Sequence, residues 1–409
     1  MIRARCAGAM RRIAQDETMV DGNSSERIQR APRAFSTAML SVGFSLTGAG
    51  TVMLGALLPT FSLQWGLRDD QAGLLLFLQF FASGLGAVVT GLHRVRSLAI
   101  GFALLAATLG ALAIDGSKIA YAVFFFYGLG LGMAMTSTSL LFSDRWGSDR
   151  AAKLEWLNFA WSAGATAGPV CFLPFLHQGN FRWLFSAMMV LSVAMLVWVV
   201  WLERDAPRAA PGHKSGSVGS SARSVFALLL LLTMTIVGVE SSLSGWLTTY
   251  SHRAGMRGLA GAALATSIFW LGEMLSRLVF STRLLAKAGR RQVLRWGIWG
   301  VTVAAVAVIA APNPWLILVA AGVAGMFIGP LYPLSLSYLL EFSPWGWFFA
   351  VGGMGAALFP WFTGVVSAHF HSLRYGLMVP CVTGVAMAAL NWRIFRGRQT
   401  ADTTHTVAS

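Results

Sequence analysis

Residues 225–250 read VFALLLLLTMTIVGVESSLSGWLTTY. From Val225 to Leu247 the run is mostly apolar, long enough as a helix to cross the roughly 30 Å hydrocarbon core of a bilayer. Glu240 stands inside it. A carboxylate at that depth is strongly unfavourable unless it is paired, protonated or put to use. The reading of this stretch therefore depends on whether the chain is a membrane protein. Comparable runs recur at 35–61, 71–92, 97–114, 119–142, 156–176, 183–202, 260–285, 293–311, 314–341, 346–368 and 374–395. Of 409 residues, 56% are hydrophobic and only 11% charged, against roughly a quarter charged in soluble domains. The pattern predicts an all-α membrane protein with twelve transmembrane helices and excludes a soluble enzyme.

The net charge of +15 follows topology. With the N-terminus inside, 24 of the 31 Lys and Arg fall in inside tails and loops. The outside loops hold six: Arg68, Lys118, Arg182, Arg253, Arg257 and Arg374, while Arg277 lies within a helix. This bias predicts cytoplasmic termini in a plasma (inner) membrane. Lipid is an expected partner and nucleic acid is not. Cys6, Cys171 and Cys381 show neither metal-ligand spacing nor a disulfide framework. Residues 1–34 have no apolar segment after their arginines and read as a basic cytoplasmic tail, with Met19 an alternative start.

Residues 203–224, ERDAPRAAPGHKSGSVGSSARS, are rich in Pro, Gly, Ser and charge and read as a cytoplasmic linker. They separate bundles of six helices at 35–202 and 225–395, with a cytoplasmic tail at 396–409. The bundles resemble each other. A shift of 189 sets LPTFS (58–62) on LTTYS (247–251), and Thr51 on Glu240. GATAGP (164–169) is matched by GAALFP (355–360). Paired six-helix bundles imply a transporter with its site between them.

Twelve spans, the central linker and the repeat resemble the major facilitator superfamily over roughly residues 35–395. GLRDDQAG (66–73), LNFAWSAGATAGP (157–169) and LLAKAGRR (284–291) add local matches. The last resembles the superfamily's basic loop motif, which implies a cytoplasmic gating role for Gly289, Arg290 and Arg291. Its first-half counterpart, GAVVTGLHRVR (86–96), has Thr90 where an aspartate is usual. GVESSLSGWLTTY (238–250), FIGPLYPLSLS (327–337) and GGMGAALFPWFTG (352–364) are most similar to the fucose/glucose–proton symporter branch. That branch's helix 1 Asn-Asp pair is replaced here by Leu54 and Gly55, so Glu240 becomes the candidate acceptor in its place, with a uniporter as the alternative.

At 100° per residue, Thr233, Glu240, Ser241, Ser244 and Thr248 share one face, expected to line a cavity. Glu273 and Arg277, at i and i+4, are expected to pair, with Arg277 also a candidate partner for Glu240. Trp270 precedes them on the same helix. Asn158, Trp161 and Ser162, with Gln79, offer amide and aromatic groups that suit a hydroxyl-rich ligand. The competing readings are an ion pair or interhelical hydrogen bonds that only lock helices together. Motifs for metal, nucleotide or nucleophilic chemistry are absent from the sequence, so no cofactor is expected.

The expectation is a monomeric secondary active or facilitative transporter for a small polar solute, a sugar first, with protons as the coupling ion. A proton-driven efflux antiporter of amphipathic compounds is the alternative within transport. A non-transporting receptor or scaffold is the alternative outside it.

Overall fold

The computed structural model describes residues 34–90, 93–115, 117–143, 150–178, 181–203, 220–279, 288–342 and 348–407. Most of the expected linker, the tail at 1–33 and the first part of LLAKAGRR lie outside the described residues. Among those described there is no strand. Within a bilayer every backbone N–H and C=O must be satisfied inside its own segment, which leaves helices as the structure open to apolar runs of this length.

The first six helices are α1 (Ala34–Trp65), α2 (Asp69–Val89), α3 (Arg94–Asp115), α4 (Ala120–Ser143), α5 (Arg150–Gln178) and α6 (Phe181–Glu203). Then follow α7 (Ser220–Arg253), α8 (Gly258–Val279), α9 (Arg290–Ala310), α10 (Pro314–Ile328), α11 (Leu331–Phe342), α12 (Phe348–Phe370), α13 (Leu373–Gly376) and α14 (Met378–Val407). Eleven spans among the described residues are long and apolar enough to cross a membrane, with α10–α11 forming one and α13–α14 another. The remaining helix, α5, is 29 residues long. Its apolar character is diluted by Asn158, Ser162, Thr166, Pro169 and Pro174. Together these account for the twelve expected spans.

The tenth span breaks between α10 and α11 at Gly329 and Pro330. Proline has no N–H to donate and its ring crowds the preceding turn, so the helix restarts there. Contacts group the chain into a unit from Met1 to Val42, described only for the opening turns of α1, and a unit from Gly43 onward. The relationships below all lie in the second unit.

The internal repeat has a structural counterpart at the ends of α1 and α7. Gly66 (φ 62°) and Gly255 (φ 94°) are left-handed. The Leu67 N–H donates to the Ser62 carbonyl at 3.0 Å, and the Met256 N–H donates to the Ser251 carbonyl at 3.1 Å. Both ends are therefore closed by the same six-residue capping bond, which needs a left-handed residue that glycine supplies without strain. The two glycines and the two bond pairs are each separated by the 189 residues of the sequence repeat.

Small residues set how closely the halves approach. Gly55 of α1 packs on Gly245 and Ser244 of α7, where an added Cβ would stand 3.0 Å from the Gly245 Cα. Gly73 of α2 packs on the Pro360–Trp361 backbone of α12. In the second half, Gly272 of α8 faces the Gly322 carbonyl, and Gly325 and Gly329 of the tenth span face Phe269, Glu273 and Ser276 of α8. This seam holds Glu273 with no exposed surface.

Candidate functional site

α8 presents Trp270, Glu273 and Arg277 at i, i+3 and i+7, on one face of the helix. Arg277 Nη2 forms an ion pair with Glu273 Oε1. The approach is poorly aligned, and neither Glu273 oxygen has a partner in hydrogen-bond geometry. Arg277 also reaches the other half, because its Nη1 donates to Ser162 Oγ of α5 at 3.0 Å. Trp161, next to Ser162 on α5, meets Trp270 edge to face, with ring centroids 5.2 Å apart. Both indole N–H groups are buried without a hydrogen-bond partner. A buried pair of tryptophans and a cation shared between halves thus join α5 to α8.

Glu240 of α7 is half-buried. Among the described residues its carboxylate joins no ion pair and no hydrogen bond. It lies within the electrostatic reach of Glu273 and Arg277, and Tyr332 of α11 lies within its own. Since Glu273 and Arg277 offset each other, this group of four carries one carboxylate whose charge no cation matches. Such a group must hold a proton, meet a cationic or hydrogen-bonding ligand, or borrow Arg277.

The rest of the α7 polar stripe does other work. Thr233 Oγ1 donates to the Leu229 carbonyl at 2.9 Å. Thr248 and Thr266 share a hydrogen bond of 2.8 Å between α7 and α8. Ser244 lies buried under the Gly55 contact. Of the stripe expected to line a cavity, the serines and threonines are buried in helix packing, and Glu240 is the member left half-exposed.

In the first half, Gln79 of α2 is fully buried and its Nε2 donates to the Thr51 carbonyl at 2.9 Å, while its Oε1 has no partner. Thr51 Oγ1 turns back to the Thr47 carbonyl at 2.8 Å. Asn158, one turn before Ser162, is exposed and has no hydrogen-bond partner among the described residues. At the far end of the second half, Gly289 is left-handed (φ 76°) and leads into α9. Arg290 Nη1 donates to Ser337 Oγ at 3.4 Å, and its guanidinium sits over the Tyr338 ring. Arg291 Nη2 donates to the Phe395 carbonyl at 3.2 Å. These two arginines link α9 to α11 and to α14.

One cluster was not singled out from the sequence. Asp69, the first residue of α2, accepts two hydrogen bonds from Arg253 at the end of α7, at 2.7 and 2.6 Å. Ser367 Oγ of α12 donates to the same carboxylate at 2.5 Å. Asp69 is buried apart from 9% of its surface. The signal was present as an Asp69–Asp70 pair opening a helix and a lone arginine ending another, 184 residues away. Nothing in either motif alone names the other.

The sequence profile of the Major Facilitator Superfamily matches residues 40–281, more than half of the chain. The chain belongs to the Major Facilitator Superfamily. It is a membrane transporter and not an enzyme. No curated protein matches it in sequence. Solved structures share the fold at low identity. A peptide transporter POT in complex with sulfate has a TM-score of 0.72 at 15% identity, covering 88% of this chain and 94% of its own. A D-xylose–proton symporter has 0.68 at 14%, covering 89% and 98%. A bacterial homolog of the human lysosomal transporter Spinster, in an inward-facing and unoccupied conformation, has 0.64 at 17%, covering 90% and 98%. In this superfamily member the α1–α7, α5–α8 and α2–α12 contacts, with the Asp69–Arg253 pair, join the helices before the 203–224 segment to those after it.

Proposed function

We propose that the protein is a secondary transporter that carries a small polar solute, a sugar first among candidates, through a site between α1–α6 and α7–α14. Transport proceeds by alternating access, with both termini on the cytoplasmic side of the plasma (inner) membrane, and Glu240 is the proton-coupling carboxylate. The observation that carries this reading is the unpartnered Glu240 beside the self-neutralised Glu273–Arg277 pair. A structural lock would leave no such carboxylate; a proton carrier needs one. The likeness of 238–250, 327–337 and 352–364 to the fucose/glucose–proton symporter branch supports the sugar, and the amide of Gln79 with the indoles of Trp161 and Trp270 supplies suitable groups.

Protonation of Glu240 would remove the unmatched charge, and loss of that proton would draw Arg277 away from Glu273 and Ser162. Because Arg277 spans α5 and α8, such a change of partner would loosen one junction between the halves. In this way the proton state and the opening of the site would be coupled through one guanidinium.

The experiment begins with a thermal-shift screen of purified protein against sugars, organic acids and amphipathic compounds, since a ligand stabilises the form it binds. The ligand found is then used in proteoliposomes with wild type and Glu240→Gln. Glu240→Gln is expected to abolish uphill uptake while sparing exchange. Concentrative uptake at the normal rate by Glu240→Gln would make the carboxylate structural. The paired tryptophans favour a second reading, efflux of amphipathic compounds against protons, and stabilisation by those compounds rather than by sugars would select it.

A further inference from the structure

The seam between α9 and α14 carries charge that neither the transport site nor the half-to-half junctions use. Arg291 and Arg295 lie one turn apart on α9, and both are exposed. Arg393 and Arg396 are exposed on α14. Arg291 crosses to α14 through its bond to the Phe395 carbonyl, with its guanidinium 5.3 Å from the Phe395 ring centre. Arg396 stacks over Trp392 at 4.5 Å. Neither α9 nor the described side chains of α14 include an Asp or Glu.

Helical geometry decides which of these groups share the seam. Taking the bond from Arg291 to Phe395 as the line of contact, Arg295 and Trp299 lie within about 80° of Arg291 on α9. On α14, Trp392 and Arg396 lie within about 100° of Phe395, whereas Arg393 is turned about 160° away. Trp299 and Trp392 are 52% and 59% exposed. The outward surface thus presents three arginines at the inner end of the spans, with two tryptophan rings beside them. Below them the exposed face continues as Val303 and Val306 on α9 and Val385 and Val382 on α14.

We propose that this seam is a binding site for an anionic phospholipid, whose headgroup phosphate sits among Arg291, Arg295 and Arg396 and whose acyl chains lie along the valine face. Guanidinium groups bind phosphate with paired N–H donors. Indole rings favour the headgroup level of a bilayer. Basic pockets between helices on the cytoplasmic side suit such headgroups. Arginine scattered through loops by the positive-inside bias would bring the charge without the tryptophans, the inter-helix bond or the apolar track beneath.

The test uses the full chain in nanodiscs and in detergent, with dioleoylphosphatidylglycerol and dioleoylphosphatidylcholine as probes. Wild type is expected to melt higher with phosphatidylglycerol and to retain it selectively in native mass spectrometry. Relative affinity is expected to fall about fivefold for each seam arginine removed, as in Arg295→Gln and Arg396→Gln. Arg393→Gln removes the same charge from the same helix end and is expected to keep the preference. Raising ionic strength to about 1 M, where charges are screened within about 3 Å, is expected to erase it in wild type without any substitution. Equal stabilisation of wild type by both lipids would overturn the proposal. So would equal losses from Arg393→Gln and Arg396→Gln, or stabilisation by inorganic phosphate alone.

Discussion

Asp69 and Arg253 are 184 residues apart in sequence and face each other through two hydrogen bonds of 2.6 and 2.7 Å. One opens α2 and the other ends α7, so the pair ties the first half of the transporter to the second. Ser367 brings α12 into the same knot. In the orientation proposed above, the end where α1 passes to α2 and α7 to α8 faces outward, so outward opening would separate these groups. Asp69→Asn keeps the shape but removes the charge and half of the fork. Arg253 retains 42% of its side-chain surface, so the loss is expected at about 1–2 kcal/mol, below that of a fully buried pair. Cysteines introduced in the α1–α2 turn should then react faster with an impermeant maleimide in intact cells. An unchanged rate would mean that the pair does not hold this end closed.

The glycine contacts predict a graded result. An added Cβ at Gly325 would run into the Phe269 carbonyl oxygen, which is backbone and has nowhere to go. At Gly245 the nearest atom is the Leu76 Cδ1 at 3.3 Å, the end of a flexible side chain. Gly325→Ala should therefore cost about 1–3 kcal/mol and lower the melting temperature in detergent. Gly245→Ala should change it little. Equal effects from the two substitutions would show that the α8–α10 seam is not as tight as drawn.

Orientation gives a third expectation. In the orientation proposed from the charge bias, the 203–224 segment is on the cytoplasmic side. Ser217→Cys should resist impermeant maleimide in intact cells and react after permeabilisation. Labelling from outside would invert the topology.

Much of the fold was legible because a bilayer imposes one long apolar run per crossing. The spans and the repeat needed no contact information. The site was legible in part. Glu273 and Arg277 are four residues apart on one helix, so their pairing follows from helix geometry alone. The stripe on α7 misled for a related reason: periodicity shows that Thr248 and Glu240 share a face, but not that Thr266 of α8 waits opposite one of them. Asp69 and Arg253 were illegible because each is ordinary in its own segment. Only the packing of α2 and α7 on the same helix, α12, brings them together.

The last prediction concerns Glu273 and Arg277 as one unit. Glu273 is fully buried, and Arg277 keeps 17% of its side-chain surface. Removing one charge leaves the other in an apolar seam, at a typical cost of about 3–5 kcal/mol, whereas removing both avoids that penalty. Glu273→Gln and Arg277→Met should each destabilise the protein strongly, and the double substitution should cost less than their sum. The two single changes should also differ in kind. Without Glu273, Arg277 still has Ser162 and the nearby Glu240 carboxylate to turn to. Without Arg277, two carboxylates face each other with no cation among the four residues of the cluster, so Arg277→Met should be the worse. Lower pH should relieve Arg277→Met, because protonating either carboxylate removes the repulsion. Denaturation of the four proteins in detergent at two pH values tests all of this. Simple additivity, with no pH relief of Arg277→Met, would rule out the pairing and with it the idea that Arg277 has more than one partner to choose from.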